Sequence, residues 1–178
     1  REIERLQVRL REQAARDPLT GLFNRRHLAD ALPAMLALAR REGQPLAVAI
    51  IDLDHFKGVN DRHGHAAGDE VLTAFARLLL DESRASDVVC RWGGEEFCLL
   101  LPCTGAVAAA HRLERLLLRW RAQVFGPDGP PLADLSFTAG VCDCTDPGAD
   151  GEALLQAADQ ALLAGKRAGR AQVRCVQD

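Results

Sequence analysis

The chain has 178 residues, of which 48% are hydrophobic and 26% charged, with a formal net charge of −3. That suffices for one domain with a real core and hardly for two. The acidic balance argues against a general nucleic-acid binder, which carries a basic excess, and no stretch reaches the ~18 to 20 unbroken apolar residues of a membrane span.

Ile3, Leu6 and Leu10 recur at helical spacing among charges. Residues 1–16 are therefore expected to form the C-terminal end of a coiled-coil-like signalling linker, with the main domain over 17–178. The chain begins inside that pattern, without an initiator methionine or a leader, which reads as a piece of a longer protein. "RDPLTGLFNRR" interrupts the helix at Pro18 and Gly21, and a second helix is expected over 25–42. Pro33 must either kink that helix or lie in its first turn behind Asp30 as a cap. "PLAVAIID" (45–52) has the apolar, β-branched make-up of a buried strand. A helix over about 66–82 turns Val71, Leu72, Phe75, Leu78 and Leu79 inward. Strands "DVVCRW" and "EFCLLL" follow, then a helix over about 104–122, the Pro/Gly loop "FGPDGPPLADL", strand "SFTAGVC", helix "GEALLQAADQALLAGKRAG" and strand "AQVRCV". The irregular alternation around one tight hairpin predicts a mixed α+β domain whose sheet is partly antiparallel.

The six cysteines contain no CxxC and no zinc-like pairing with histidine. They are expected to be buried thiols of a cytoplasmic protein, behaving as small hydrophobes.

"RWGGEEFCLLL" (91–101) concentrates the chemistry. Gly93-Gly94 between two strands predicts a two-residue hairpin turn with positive φ. A turn alone does not explain Glu95 and Glu96 at its mouth, where two negative charges repel. A second acidic cluster, "IDLDHFKGVND", places Asp52 at the end of a buried strand. It is not an EF-hand loop, because Phe56 and Lys57 stand where a ligand and a glycine are required. If the hairpin pairs beside strand 46–52, Asp52 and Glu95 converge. Two hard carboxylates suit a Mg²⁺ ion that also holds substrate phosphates.

These motifs, together with "GHAAGDEVL", "SFTAGV" and "ADQALLAGKRAGR", run in the order and near the spacing of the GGDEF domain, and the chain resembles that diguanylate cyclase family in its GGEEF variant. The resemblance implies a ferredoxin-like nucleotidyl-cyclase palm, with a mixed, mostly antiparallel sheet of about five strands flanked by helices. It implies condensation of two GTP into cyclic di-GMP and two pyrophosphates, between two chains of a homodimer, with two Mg²⁺ (or Mn²⁺) per GTP site. Residue by residue, it implies that Asp52, the Leu53 carbonyl and Glu95 bind metal, with Glu95 also placed to act as a base. It gives main-chain N–H groups around His55, Phe56 and Lys57 to the phosphates, and the Lys57 side chain to developing charge. Lys166 and Arg170, four apart on one helix face, would reach the terminal phosphates. Asn60 and Asp69 would read guanine, with His65 in the same loop. Arg84 and Asp87, as "RASD" ahead of the glycines, would form an inhibitory site for the product. The last helix departs from the pattern at Leu163, Gly165 and Ala171, where an aromatic, an alanine and an asparagine are usual. The alternative to an enzyme is an inactive domain of the same family that senses cyclic di-GMP or GTP.

Overall fold

A computed structural model of the chain describes residues 15–123, 125, 135–144, 148 and 150–176. The expected linker helix, apart from its last two residues, and most of the Pro/Gly loop lie outside the described residues. In chain order the elements are β1 (Phe23–Asn24), α1 (Arg25–Glu42), β2 (Leu46–Leu53), α2 (Phe56–His63), α3 (His65–Asp81) and β3 (Val88–Arg91). They continue with β4 (Glu96–Pro102), α4 (Ala106–Arg121), β5 (Phe137–Asp143), α5 (Gly151–Arg167) and β6 (Val173–Cys175).

The strands form a six-stranded sheet in the order β1-β3-β4-β2-β5-β6. β3–β4, β4–β2 and β2–β5 pair antiparallel, whereas the outer pairs β1–β3 and β5–β6 are parallel. This is the expected mixed, mostly antiparallel α+β sheet with one strand more than expected. The extra strand, β1, has two residues and is too short to carry a periodic signal.

The central strand β2 is buried at all eight positions because both sheet faces are covered. Ala47, Ala49, Ile51 and Leu53 point toward α3 and α4, where Phe75 meets Phe97, Trp120 and Phe137 at centroid distances of 5.0, 4.8 and 5.4 Å. Leu46, Val48 and Ile50 point the other way, into a smaller core with Leu28, Leu32 and Leu36 of α1 and Leu154 and Leu162 of α5. A helix lies unusually close to β5: a Cβ on Gly140 would stand 2.0 Å from the Ala158 carbonyl oxygen and 2.3 Å from the Leu162 nitrogen. Only glycine admits α5 at that distance.

Three expectations are corrected. α1 runs without a break through Pro33 and is capped by Asn24, whose side chain accepts from the His27 N–H, so Asp30 is not a cap. The segment after Asp52, for which no helix was expected before residue 66, contains α2, entered through His55 at φ 57°. The thiols are not all buried. Cys90, Cys98 and Cys142 are, but Cys144 and Cys175 are half-buried and Cys103 is exposed; all six are free. Burial pushes the Cys90 and Cys142 thiols up to about 12, so these two stay protonated and inert. Among the described residues no helix is long and apolar enough to cross a membrane.

Candidate active site

The hairpin and strand β2 bring the two acidic motifs together as the spacing predicts. β2 and β4 pair in a register that sets Asp52 opposite Glu96, and the Leu53 N–H donates to the Glu95 carbonyl at 3.2 Å. Glu95 therefore stands at the end of β2, beside Asp52. From the other side of β2, the last turn of α5 delivers Lys166, whose Nζ lies 2.9 Å from Asp52 Oδ2.

Charge in this corner is unbalanced: three carboxylates, Asp52, Glu95 and Glu96, share one ammonium. Burial pushes the Glu95 carboxyl above its ordinary value, the Asp52 charge pushes it further, and Lys166 only partly offsets them. A pair of crowded carboxylates with a main-chain carbonyl next to it is a hard-oxygen donor set. Among the described residues no three His, Cys, Asp or Glu side chains gather to enclose a metal. The donors fit an ion that completes its shell with water and ligand phosphates, as Mg²⁺ does, rather than a cation caged by protein.

The hairpin turn differs from the expected two-residue type. The Trp92 N–H donates to the Glu96 carbonyl at 2.8 Å, which leaves Gly93, Gly94 and Glu95 as the loop, and neither glycine has a positive φ. A Cβ on Gly94 would meet nothing within 4 Å. Backbone strain therefore does not require these glycines; what they leave is open space over the turn.

Arg91 holds this loop from below, a role that the sequence reading missed. Its Nε and Nη2 donate to the Gly94 carbonyl at 3.1 and 2.8 Å, and Nη1 reaches both oxygens of Asp17 at 3.2 Å. Burial alone would raise the Asp17 carboxyl, but hydrogen bonds from Thr20 and the Arg91 guanidinium outweigh it and hold the group below its ordinary value. An arginine ending an otherwise apolar strand was the available signal.

The expected substrate residues are spread along α2 and α3, which follow β2 directly. His55 and Lys57 are exposed at the start of α2, which has no side-chain cap; the Gly58 N–H closes back on the His55 carbonyl at 2.9 Å, so the N–H groups of Phe56 and Lys57 are the ones left without an intrahelical partner. The Phe56 side chain is buried, leaving only its main chain to face a ligand. Asn60 lies flat against Gly68: a Cβ there would stand 2.0 Å from Asn60 Oδ1. Asp69, the residue after Gly68, is exposed, as is His65 at the first position of α3.

Arg170 is not on the helix face expected for it. α5 ends at Arg167, and Arg170 sits in the following turn at φ 63°. The periodic pattern carried the reading past a helix end that Gly169, at φ 114°, already marks.

Arg84 and Asp87 are treated differently by the fold. Arg84 is exposed, whereas the Asp87 side chain is fully buried. Asp87 Oδ2 accepts from Arg112 Nη2 of α4 at 2.7 Å and from the Arg84 N–H at 2.9 Å. Asp87 Oδ1 and Arg112 Nη1 are buried without a further partner. A small cleft beside this pair is lined by Glu82, Ser83, Arg112 and Arg115.

The family model "Diguanylate cyclase, GGDEF domain" matches residues 14–172. The chain belongs to the GGDEF family. It is 44% identical over 160 residues to diguanylate cyclase DgcP of Pseudomonas aeruginosa, a match covering 90% of this chain and 24% of the relative. It is 38% identical over 160 residues to response regulator PleD of Caulobacter vibrioides, covering 89% of this chain and 35% of PleD. The chain thus spans about a quarter to a third of these relatives. Among solved structures, the coiled coil and GGDEF domain of DgcB from Caulobacter crescentus, in complex with c-di-GMP, superposes with a TM-score of 0.90 at 32% identity, covering 98% of this chain and 94% of that one. The active GGEEF domain of a Vibrio cholerae diguanylate cyclase superposes at 0.80 with 34% identity, covering 87% and 97%. The expected cyclase palm is therefore the fold of this chain.

Proposed function

We propose that this GGDEF domain is the catalytic part of a cytoplasmic diguanylate cyclase, joining two GTP into cyclic di-GMP and two pyrophosphates across a homodimer. The observation that carries the proposal is the corner at the end of β2, where Asp52 and Glu95 crowd together and Lys166 is 2.9 Å from Asp52. Asp52, Glu95 and the Leu53 carbonyl would hold Mg²⁺ or Mn²⁺, two per GTP site, which when bound neutralises phosphate charge and acidifies the attacking hydroxyl. Lys166 and Arg170 bind the terminal phosphates, and the first-turn N–H groups of α2 receive the others. Lys57 is exposed and free to follow charge as it develops. Asp69 accepts from guanine N1–H and the N2 amino group while Asn60 contributes its amide, with His65 beside them. Glu95 stands where it could take the proton from the 3′-hydroxyl as well as hold the metal.

Product inhibition is assigned to the exposed Arg84, with Arg115 on the wall of the adjacent cleft as a second basic group. Asp87 is spent on Arg112 in this conformation, so its part is to hold the loop that carries Arg84. The test is incubation with GTP and Mg²⁺, following pyrophosphate. Release of two pyrophosphates per cyclic di-GMP is expected. Tight cyclic di-GMP binding without release would leave a sensor in place of an enzyme.

A further inference from the structure

Asp54, the second carboxylate of "DLD", has no role in the reading above. It is 5% exposed, and it is saturated with donors. Its Oδ1 accepts from Thr138 Oγ1 at 2.7 Å, and its Oδ2 from Ser136 Oγ at 2.8 Å and from the Ala171 N–H at 3.0 Å. Its own N–H donates to the Ser136 carbonyl at 3.0 Å. A buried carboxylate so well supplied has no need of a cation and belongs to the frame rather than to the metal corner.

What Asp54 holds is the turn that follows α5. Gly169, Arg170 and Ala171 all have positive φ, at 114°, 63° and 50°. Left-handed backbone is unfavourable for residues with a Cβ, and two such residues in succession persist only where the surroundings over-determine them. Here the Arg170 N–H donates to the Gly165 carbonyl at 3.1 Å, and the Ala171 N–H is shared between Asp54 and Thr138 Oγ1, the latter at 3.1 Å. Gln172 Nε2 ties the carbonyls of Gly165 and Arg170 together, each at 3.1 Å. Thr138 also packs against Gly165, where an added Cβ would stand 2.8 Å from its Cγ2. One carboxylate at the end of β2 thus fastens both the start of β5 and the turn that carries Arg170, next to the helix end that carries Lys166.

We infer that Asp54 is a positioning residue for phosphate binding: it fixes the left-handed turn after α5 so that Arg170, and Lys166 one turn before it, face the terminal phosphates of the nucleotide held at Asp52. This rests on the assignment of Arg170 and Lys166 to those phosphates. A purely structural role would weaken every nucleotide alike, or none. A positioning role weakens only ligands that carry terminal phosphates.

The experiment titrates wild type, Asp54→Asn, Arg170→Ala and the double variant with 3′-deoxy-GTP, which lacks the attacking hydroxyl and cannot cyclise, and separately with GMP, both in Mg²⁺. Asp54→Asn and Arg170→Ala are each expected to lose about ten-fold in affinity for 3′-deoxy-GTP and less than about two-fold for GMP, with no further loss in the double variant. Equal losses for both nucleotides in Asp54→Asn, losses that multiply in the double variant, or wild-type affinity in Asp54→Asn beside an Arg170→Ala weakened only for 3′-deoxy-GTP would each overturn the proposal and leave the phosphate assignment intact. Wild-type affinity in Arg170→Ala would instead remove the Arg170 assignment, and the proposal with it. If Asp54→Asn does not fold, Ser136→Ala removes one of the donors and should show the same split at a few-fold; an unchanged ratio of the two affinities there overturns the proposal.

Discussion

Two carboxylate sites in this domain treat charge in opposite ways. Asp87 has a guanidinium at 2.7 Å, a main-chain donor at 2.9 Å and no exposed side-chain surface, so its charge is matched within the fold. At the end of β2, Asp52, Glu95 and Glu96 have one ammonium between them, and burial together with the Asp52 charge pushes Glu95 above its ordinary pKa. The matched pair holds α4 to the approach of β3. The unmatched corner works against the fold, and the cation proposed for it would relieve that strain. The difference separates charges that belong to the architecture from charges that wait for a ligand.

The comparison can be broken at its matched end first. Asp87→Ala leaves the Arg112 guanidinium buried without its partner and should cost about 3 to 5 kcal/mol, read from the urea midpoint. Arg84→Ala, at an exposed side chain three residues earlier, should stay within about 0.5 kcal/mol of wild type, and is therefore the variant for progress curves with added cyclic di-GMP. A small loss for Asp87→Ala would mean that its buried pair contributes little to the fold.

A smaller effect concerns the nucleotide. Asp69 is exposed, and among the described residues it bonds to the fold through its main chain, its carbonyl accepting from Thr73 Oγ1 at 2.8 Å. Asp69→Ala should leave stability unchanged while weakening GTP by about ten-fold or more, since hydrogen bonds to a charged group are worth ~1.5 to 3 kcal/mol. GTP affinity as before, with ATP still excluded, would assign guanine reading elsewhere. The smallest effect is a gain. Ala171 sits at φ 50°, where a methyl group is a liability, and Ala171→Gly should raise stability by about 1 kcal/mol. An unchanged or lower denaturation midpoint would contradict the left-handed turn.

The unmatched corner was legible in the sequence because its signals are local. Asp52 closes an apolar strand and Glu95 follows a glycine pair, and strand pairing alone brings them together. Asp54 was not legible, because its partners lie far away in the chain, and Arg91 only in part, because its hold on Gly94 is local whereas Asp17 is distant. Asp54 bonds to Thr138 and Ala171, and Arg91 to Asp17, so neither assignment exists until the sheet is assembled. Asp87 was read from its motif as a ligand group, and nothing in that string announces Arg112. Arg170 was misplaced for a related reason: helical spacing continues past the point where the backbone turns left-handed. Gly93 and Gly94 mark the turn correctly, but the expected positive φ gave way to a three-residue loop held by Arg91 through the Gly94 carbonyl.

The most direct test of the unmatched corner is the stability of Glu95→Gln relative to wild type as a function of pH, by thermal denaturation without added divalent cation. Because the folded protein holds the Glu95 proton more tightly than the unfolded chain does, the Glu95 contribution to wild-type stability falls as pH rises from the ordinary carboxylate range through the raised value, and levels off above it. Glutamine carries no such penalty. The variant should therefore gain on wild type as pH rises, and be at least as stable at neutral pH, while releasing no pyrophosphate from GTP. A variant that is less stable than wild type at neutral pH would show that the Glu95 charge supports the fold, and would contradict the account.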